Sequence, residues 1–379
     1  MKRIAGFFWR EKMLTLSLLA AAVALTITPF TPARLMEIDW RTLGNLMMML
    51  CVLEGVKQEN LLRPVEALAA RLKTMPALAI FLIFGVFFSS MFVTNDVSLI
   101  IFVPLTIQLF RQGGKERYLL PVISMENIAA VRGSLLMPFG SPQNLFLYGQ
   151  LEISAGRFIL HMLPLCVLSA GLLVGFVFFL FRKNVREPAV CSPEKGAERS
   201  RGKARRRIYG ALFALVIAVI VSRTRLWPAA LAAVVSVVAL TDRSLLKKVD
   251  YVLLATFLCF FVFSSSVAAH PQIAALLKRA VAGHEYFWSI GLSQIISNVP
   301  ATIVLYPFTE NVSGLIYGAD TAGLCSIIGS LASVINYRIY VREYPGDGKN
   351  FLRVFTLTSW AFFALVAFPG YLLCRWPFR

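Results

Sequence analysis

Thr94-Asn95-Asp96 and Ser297-Asn298-Val299 are polar breaks in long apolar stretches, one in each half of the 379-residue chain. Both carry Asn, and Pro104 and Pro307 each follow nine residues beyond it. Asp39-Trp40 before the first break is answered by Asp250-Tyr251 before the second, and Gly140-Ser141 after the first by Gly329-Ser330. The order is the same in both halves. Unwound backbone in hydrocarbon survives only where protein or a wet cavity satisfies its N–H and C=O groups. Duplicated halves with broken membrane helices therefore imply a transport site at the breaks.

Composition agrees. Apolar residues make up 58% of the chain and charged residues 15%, against about 25% charged in a soluble domain. Apolar segments of spanning length run at 13–30, 38–56, 158–181, 209–223, 227–241, 249–268, 320–340 and 352–374, with interrupted ones at 76–110, 118–150 and 285–318. The formal charge of +18 suggests nucleic acid, but Lys and Arg sit between apolar segments, where the positive-inside rule places them, and nucleic acid is excluded as a partner. Six cysteines without a C-x-x-C pair and three scattered His read as packing residues rather than a metal centre. Met1–Phe30 lacks a convincing cleavage site and reads as a retained first helix.

The strongest orientation marker is Arg182–Arg207, with ten Lys or Arg, which reads as a cytoplasmic linker. Threading outward, with 76–110 and 285–318 as hairpins that enter and leave on one side, puts every main basic cluster in the cytoplasm. The expected fold is an all-α integral membrane protein with nine transmembrane helices, two re-entrant hairpins and broken helices, arranged as an inverted-topology repeat. The first repeat covers 1–182 (hairpin 76–110, broken helix 118–150) and the basic linker 183–208. An extra helix and the second repeat fill 209–379 (hairpin 285–318, broken helix 320–340). Residues 57–74 and 269–284 are amphipathic and read as interfacial helices before each hairpin. The protein is expected to be an integral, multi-pass membrane protein, in the cytoplasmic (inner) membrane if bacterial, with its N-terminus and central basic loop cytoplasmic.

A hairpin tip ends one helix and begins another, so the N–H groups of its second limb face the midplane with partial positive charge and attract anions. Asn95 and Asn298 offer both donors and an acceptor. With Thr94, Ser297 and Arg132 they are the candidate substrate contacts. Freed carbonyls and the hydroxyls of Ser89, Ser90 and Ser293 suit a hard cation such as sodium. Residues 121–150 read as a helix broken near Gly133-Ser134 and Gly140-Ser141-Pro142, with its counterpart broken near Gly323 and Gly329-Ser330. Ser134, Gly140, Ser141, Asn144, Gly323 and Gly329 are thus candidates for the coupling-ion site, while Gln143 and Asn144 equally serve to satisfy freed backbone.

Charged residues at membrane depth are functional candidates by default: Asp96 at the first tip, Glu126 and Arg132 before the first broken-helix break, Glu54 and Glu310 nearer the surfaces. Asp96 at a helix N-terminus inside a desolvated cavity can exchange protons and is the first candidate for coupling, beside Glu126; its alternative role is a helix cap. Arg132 either contacts an anion, neutralises Glu126 or snorkels.

The stretches Val93-Thr94-Asn95-Asp96-Val97-Ser98 through Pro104, Met137-Pro138-Phe139-Gly140-Ser141-Pro142-Gln143-Asn144 through Tyr148, and Ser297-Asn298-Val299-Pro300-Ala301 resemble those of citrate-transporter-like permeases of the ion transporter superfamily. That group includes arsenite pumps, sodium/proton antiporters and divalent anion/sodium symporters. In the symporters the pattern is Ser-Asn-Thr at each tip, holding substrate carboxylates and lining sodium sites; here Asn carries over at both tips and the third residue at neither. Ala130-Val131-Arg132-Gly133-Ser134 stands where relatives resemble Ala-Asn-Leu-Gly-Ser, and Ser141 where Asn is common. The resemblance implies a secondary active transporter for a small, anionic substrate, citrate-like or inorganic, with sodium or a proton as coupling ion and no other cofactor. It also implies dimers. Arsenite export or sodium/proton antiport is the alternative within the class; a membrane-embedded enzyme using Asp96, Glu126 and Arg132 is the alternative outside it.

Overall fold

The structure, a computed structural model, describes residues 11–28, 38–58, 68–69, 71–189, 203–376 and 378. Among these, every regular element is helical, as hydrocarbon demands of a chain that must satisfy its backbone internally. Among the described residues, five helices are long and apolar enough to cross a membrane: Met75–Val93, Ala155–Leu180, Trp227–Leu246, Tyr251–Ala268 and Gly348–Leu373.

One group of helices comprises α1 (Lys12–Ile27), α2 (Trp40–Gln58), α8 (Lys203–Ser222), α9 (Trp227–Leu246) and α10 (Tyr251–Ala268). Within it, α1 packs on α10, and α2 packs on α8, α9 and α10. The paired Asp residues noticed in the sequence have a local cause: Asp39 accepts the Thr42 N–H at 2.9 Å before α2, and Asp250 accepts the Leu253 N–H at 2.9 Å before α10. Each satisfies a helix-start donor that has no intrahelical partner. The run of α9 breaks at Asp242 (φ −161°, ψ 95°), next to the point where hydropathy ends the span.

The second group is built around the breaks. The first hairpin is α3 (Met75–Val93) and α4 (Asn95–Gln112), and the first broken helix is α5 (Leu119–Ser134) and α6 (Pro142–Gln150), followed by α7 (Ala155–Leu180). In the second half, α12 (Glu285–Ile296) and α13 (Asn298–Leu305) form the hairpin, α14 (Val312–Ala322) and α15 (Leu331–Glu343) the broken helix, and α16 (Gly348–Leu373) follows. The first limb of each hairpin packs on the first segment of its own broken helix, α3 on α5 and α12 on α14. The second limbs cross over: α4 packs on α15 and α13 on α6. The two groups meet where α2 touches α4 and α6, and where α10 touches α13.

Several expectations need adjustment. The second hairpin does not extend over 285–318: Tyr306–Phe308 forms a 3-10 turn that ends it, and 312–322 is already the first segment of the broken helix, placed at 320–340 from sequence. Pro307 sits in that terminating turn, whereas Pro104 lies inside the continuing α4. The hairpins are also unequal. At 1.5 Å per residue, α3 is about 28 Å long and α12 about 18 Å, so α3 by itself has the reach of a complete span. Residues 269–284 do contain an amphipathic helix, α11 (Pro271–Val281), started by His270 accepting the Ile273 N–H. Its counterpart at 57–74, the chain start Met1–Arg10 and the centre of the linker lie largely outside the described residues.

Candidate functional site

The two hairpin tips share one backbone conformation. Thr94 has φ 72°, ψ 158° and Ser297 has φ 69°, ψ 157°. This region is occupied essentially by Gly, and a residue with a Cβ is held there only when its surroundings over-determine it. In both tips the next residue is the Asn that opens the second limb, Asn95 of α4 and Asn298 of α13. Both Asn are buried, at 5% and 2% exposure.

The broken helices correspond equally closely. Ser141, before α6, lies at φ −144°, ψ 154°, and Ser330, before α15, at φ −146°, ψ 140°. Backbone approaches explain the small residues. A Cβ on Gly133 would collide with the Phe87 carbonyl oxygen of α3, and one on Gly318 would lie 2.6 Å from the Tyr286 carbonyl oxygen of α12. Gly140 and Gly329 leave no room for a Cβ against the Ser134 and Ala322 carbonyl oxygens. The two crossings then touch: Gly323 packs against the Val131 side chain, Asn127 Nδ2 donates to Ser333 Oγ at 3.0 Å, and Asn336 Nδ2 donates to the Ile123 carbonyl at 3.0 Å.

The predicted polar residues divide. Asn298 is tied to the second break, its N–H donating to the Gly329 carbonyl at 3.1 Å and its Nδ2 to the Ala319 carbonyl at 3.3 Å. Asn95 Oδ1 accepts the Asp96 N–H at 3.0 Å. Ser297 Oγ is buried without a hydrogen-bond partner. Asn144 donates to the Leu135 and Ser134 carbonyls at 3.0 and 3.4 Å, satisfying backbone freed at the end of α5. Ser134 Oγ donates to the Val131 carbonyl and Ser90 Oγ to the Phe87 carbonyl, each within its own helix. Asp96 is half-buried in the first turn of α4.

Glu126 and Arg132 do not neutralise each other. Glu126 is fully buried and accepts from Thr106 Oγ1 of α4. Arg132 is fully buried too, with no hydrogen-bond partner for any of its three guanidinium nitrogens. The strongest charge acting on it is Asp320 of α14. Sequence reasoning missed Asp320, although an Asp inside an apolar segment meets the rule that flagged the others. Gln143 Nε2 donates to Asp320 Oδ1 at 3.0 Å, leaving Asp320 Oδ2 and Gln143 Oε1 buried and unpartnered. Arg132 and Asp320 occupy equivalent positions, two residues before the ends of α5 and α14.

Where the two helix groups meet, a cavity of about 370 Å³ is lined by Asp39, Gln150, Phe261, Ser264, Ser265 and Tyr306, among others. Asp39 bridges the groups across it, accepting from Gln150 Nε2 of α6 at 2.8 Å.

This geometry can be set beside known proteins. The family model for citrate transporters matches residues 4–329. The chain belongs to the citrate transporter family. Among relatives of this family member, the inner membrane protein YbiR of Escherichia coli is 30% identical over 323 residues, 82% of this chain and 83% of its own. An uncharacterized transporter of Methanocaldococcus jannaschii is 28% identical over 306 residues, 80% of this chain and 81% of its own. The crystal structure of the YdaH transporter of Alcanivorax borkumensis superposes with a TM-score of 0.56 over 97% of this chain and 98% of that one; at 13% identity the likeness concerns the fold. The family and the relatives' names point to an integral membrane transporter rather than an enzyme.

Proposed function

We propose that this citrate transporter family member is a secondary active carrier of a small carboxylate anion, citrate or a related di- or tricarboxylate, coupled to sodium or protons. The observation that carries the reading is the repeated break: two non-glycine residues, Thr94 and Ser297, held at nearly the same positive-φ geometry directly before Asn95 and Asn298. In this reading the halves are inverted repeats, the hairpins are re-entrant, and their tips offer helix N-termini and amides to one anion. Arg132, whose donors are unengaged, supplies charge for a carboxylate. Ser297 Oγ and break carbonyls supply oxygens for sodium, and Asp96 is the proton-coupling candidate. The hairpin group moves as a block against the α1, α2, α8–α10 group, and the cavity beside Asp39 and Gln150 is its vestibule.

The test is uptake into proteoliposomes with citrate, dicarboxylates, sulfate and arsenite under separate sodium and proton gradients. Saturable carboxylate uptake driven by one gradient is expected. Response to arsenite alone would move the assignment to export of that oxyanion, and no response to any substrate would remove it.

A further inference from the structure

We infer that a cleft at the C-terminal end of α7 binds the headgroup of an anionic phospholipid. The chain leaving α7 folds back as a strap over the base of the first hairpin: the Met75 N–H donates to the Glu187 carbonyl at 2.8 Å and the Ala189 N–H to the Lys73 carbonyl at 3.0 Å. Glu187 anchors it, its carboxylate accepting from Lys115 Nζ at 2.7 Å, Arg117 Nη2 at 2.6 Å and Tyr118 Oη at 2.6 Å. Asn184 Nδ2 donates to Tyr118 Oη at 2.8 Å, and the Tyr118 ring packs on Phe181 with centroids 4.6 Å apart. The strap is therefore fixed from three directions.

Between it and the α4–α5 turn lies an open cleft of about 680 Å³. Five cations line it, Lys115, Arg117, Arg182, Lys183 and Arg186, with the single carboxylate of Glu187. Lys115 and Arg117 are engaged by that carboxylate. The charges of Arg182, Lys183 and Arg186 are left unbalanced, and among the described residues none has a carboxylate partner.

Charge alone calls for a phosphate; the surroundings select a lipid. Phe178 and Phe179, in the last turn of the apolar span α7, are 54% and 65% exposed, and Val185 on the strap is 53% exposed. The Arg182 guanidinium stacks 4.5 Å over the Phe179 ring. Unbalanced cations directly beside exposed aromatic and aliphatic side chains at the end of a span match a headgroup with its acyl chains, not a fully hydrated ion.

The test uses the full-length protein in neutral detergent, titrated with phosphatidylglycerol, phosphatidylcholine or inorganic phosphate while its unfolding temperature is followed. Phosphatidylglycerol is expected to raise it saturably and the other two are not. The R182Q/K183Q/R186Q variant should need on the order of 100-fold more phosphatidylglycerol, from three lost surface cations, and R182K/K183R/R186K should stay close to wild type. Equal stabilisation by phosphatidylcholine, an unchanged response of the glutamine variant, or the same shift from inorganic phosphate would overturn the inference. Should the glutamine variant fail to fold, native mass spectrometry of the wild type decides, since equal retention of both lipids through delipidation also overturns it.

Discussion

Replacing Thr94 or Ser297 by Gly separates strain from ligand binding. Both residues sit at φ near +70° with ψ near 158°, a conformation that costs a residue with a Cβ about 1–3 kcal/mol. Gly relieves that strain but gives the unfolded chain more freedom, which offsets about 0.5–1 kcal/mol. Neither side chain makes a capping hydrogen bond to its second limb, and Ser297 Oγ is buried without a partner. Ser297→Gly is therefore expected to be between neutral and about 2 kcal/mol more stable than wild type. Transport should move the other way. A hydroxyl that hydrogen-bonds a charged ligand is worth about 1.5–3 kcal/mol, so half-saturation should rise roughly 10- to 150-fold. Thermal unfolding in detergent and proteoliposome uptake read the two effects on the same preparation. Loss of stability and transport together would mean that the tip hydroxyls hold the fold, and the argument from positive φ to ligand binding would fail.

Gly133→Ala is expected to be destabilising by about 1–3 kcal/mol or more, because its Cβ meets the backbone of α3 rather than a flexible side chain; Gly318→Ala should be milder, and unfolding temperatures rank them. Glu187→Gln should free the strap at every pH. In the wild type, burial disfavours the Glu187 carboxylate, but hydrogen bonds from Lys115, Tyr118 and Arg117 outweigh it and hold the pKa at about 2 against an ordinary 4.5. Docking thus stabilises fully above pH 4.5 and fades as pH falls toward 2, which limited proteolysis of 182–189 across pH would follow. Asp39→Asn weakens the bridge to Gln150 and is expected to shift which membrane face labels a cysteine placed at position 265 of the same cavity, with unchanged labelling counting against a gate there. Arg132→Leu removes three buried donors that make no hydrogen bond, so it should abolish uptake while leaving the unfolding temperature at or above that of wild type; a clear loss of stability would mean that the guanidinium holds the fold.

The places of the breaks were legible because each left a mark in residue type. A Thr-Asn or Ser-Asn that interrupts an apolar run in both halves, in the same order with the flanking Asp and Gly-Ser, marks a break, and Gly140-Ser141 and Gly329-Ser330 flag a close approach followed by a helix start. The matching angles at Thr94 and Ser297 gave no such mark, since neither residue favours positive φ. Limb lengths were also hidden: Pro104 and Pro307 share a spacing from Asn, yet α4 accommodates its proline and continues, while the chain after Leu305 tightens into a 3-10 turn and ends the hairpin. The polar core was half visible. Arg132 and Glu126 are adjacent enough in sequence to suggest a pair, but six residues apart on the helix Glu126 accepts from Thr106 Oγ1 and Arg132 makes no hydrogen bond. That Asp320 of the other half is the opposite charge acting on Arg132 emerges only where the two breaks meet, Gly323 against Val131.

That meeting of the breaks bears on how two similar halves can carry charge into the interior of a membrane protein. Equivalent positions before the two breaks come close together, so the same cation in both halves would place like charges in a medium that screens them poorly. Arg132 in one half and Asp320 in the other put groups of opposite charge there while leaving the guanidinium without a direct carboxylate contact. A tight salt bridge would use up the donors that an anion needs, and an isolated Arg would be too costly to bury. An opposite charge near but not touching, itself held by Gln143 Nε2, meets both demands, and it ties charge balance in one half to the side chains of the other.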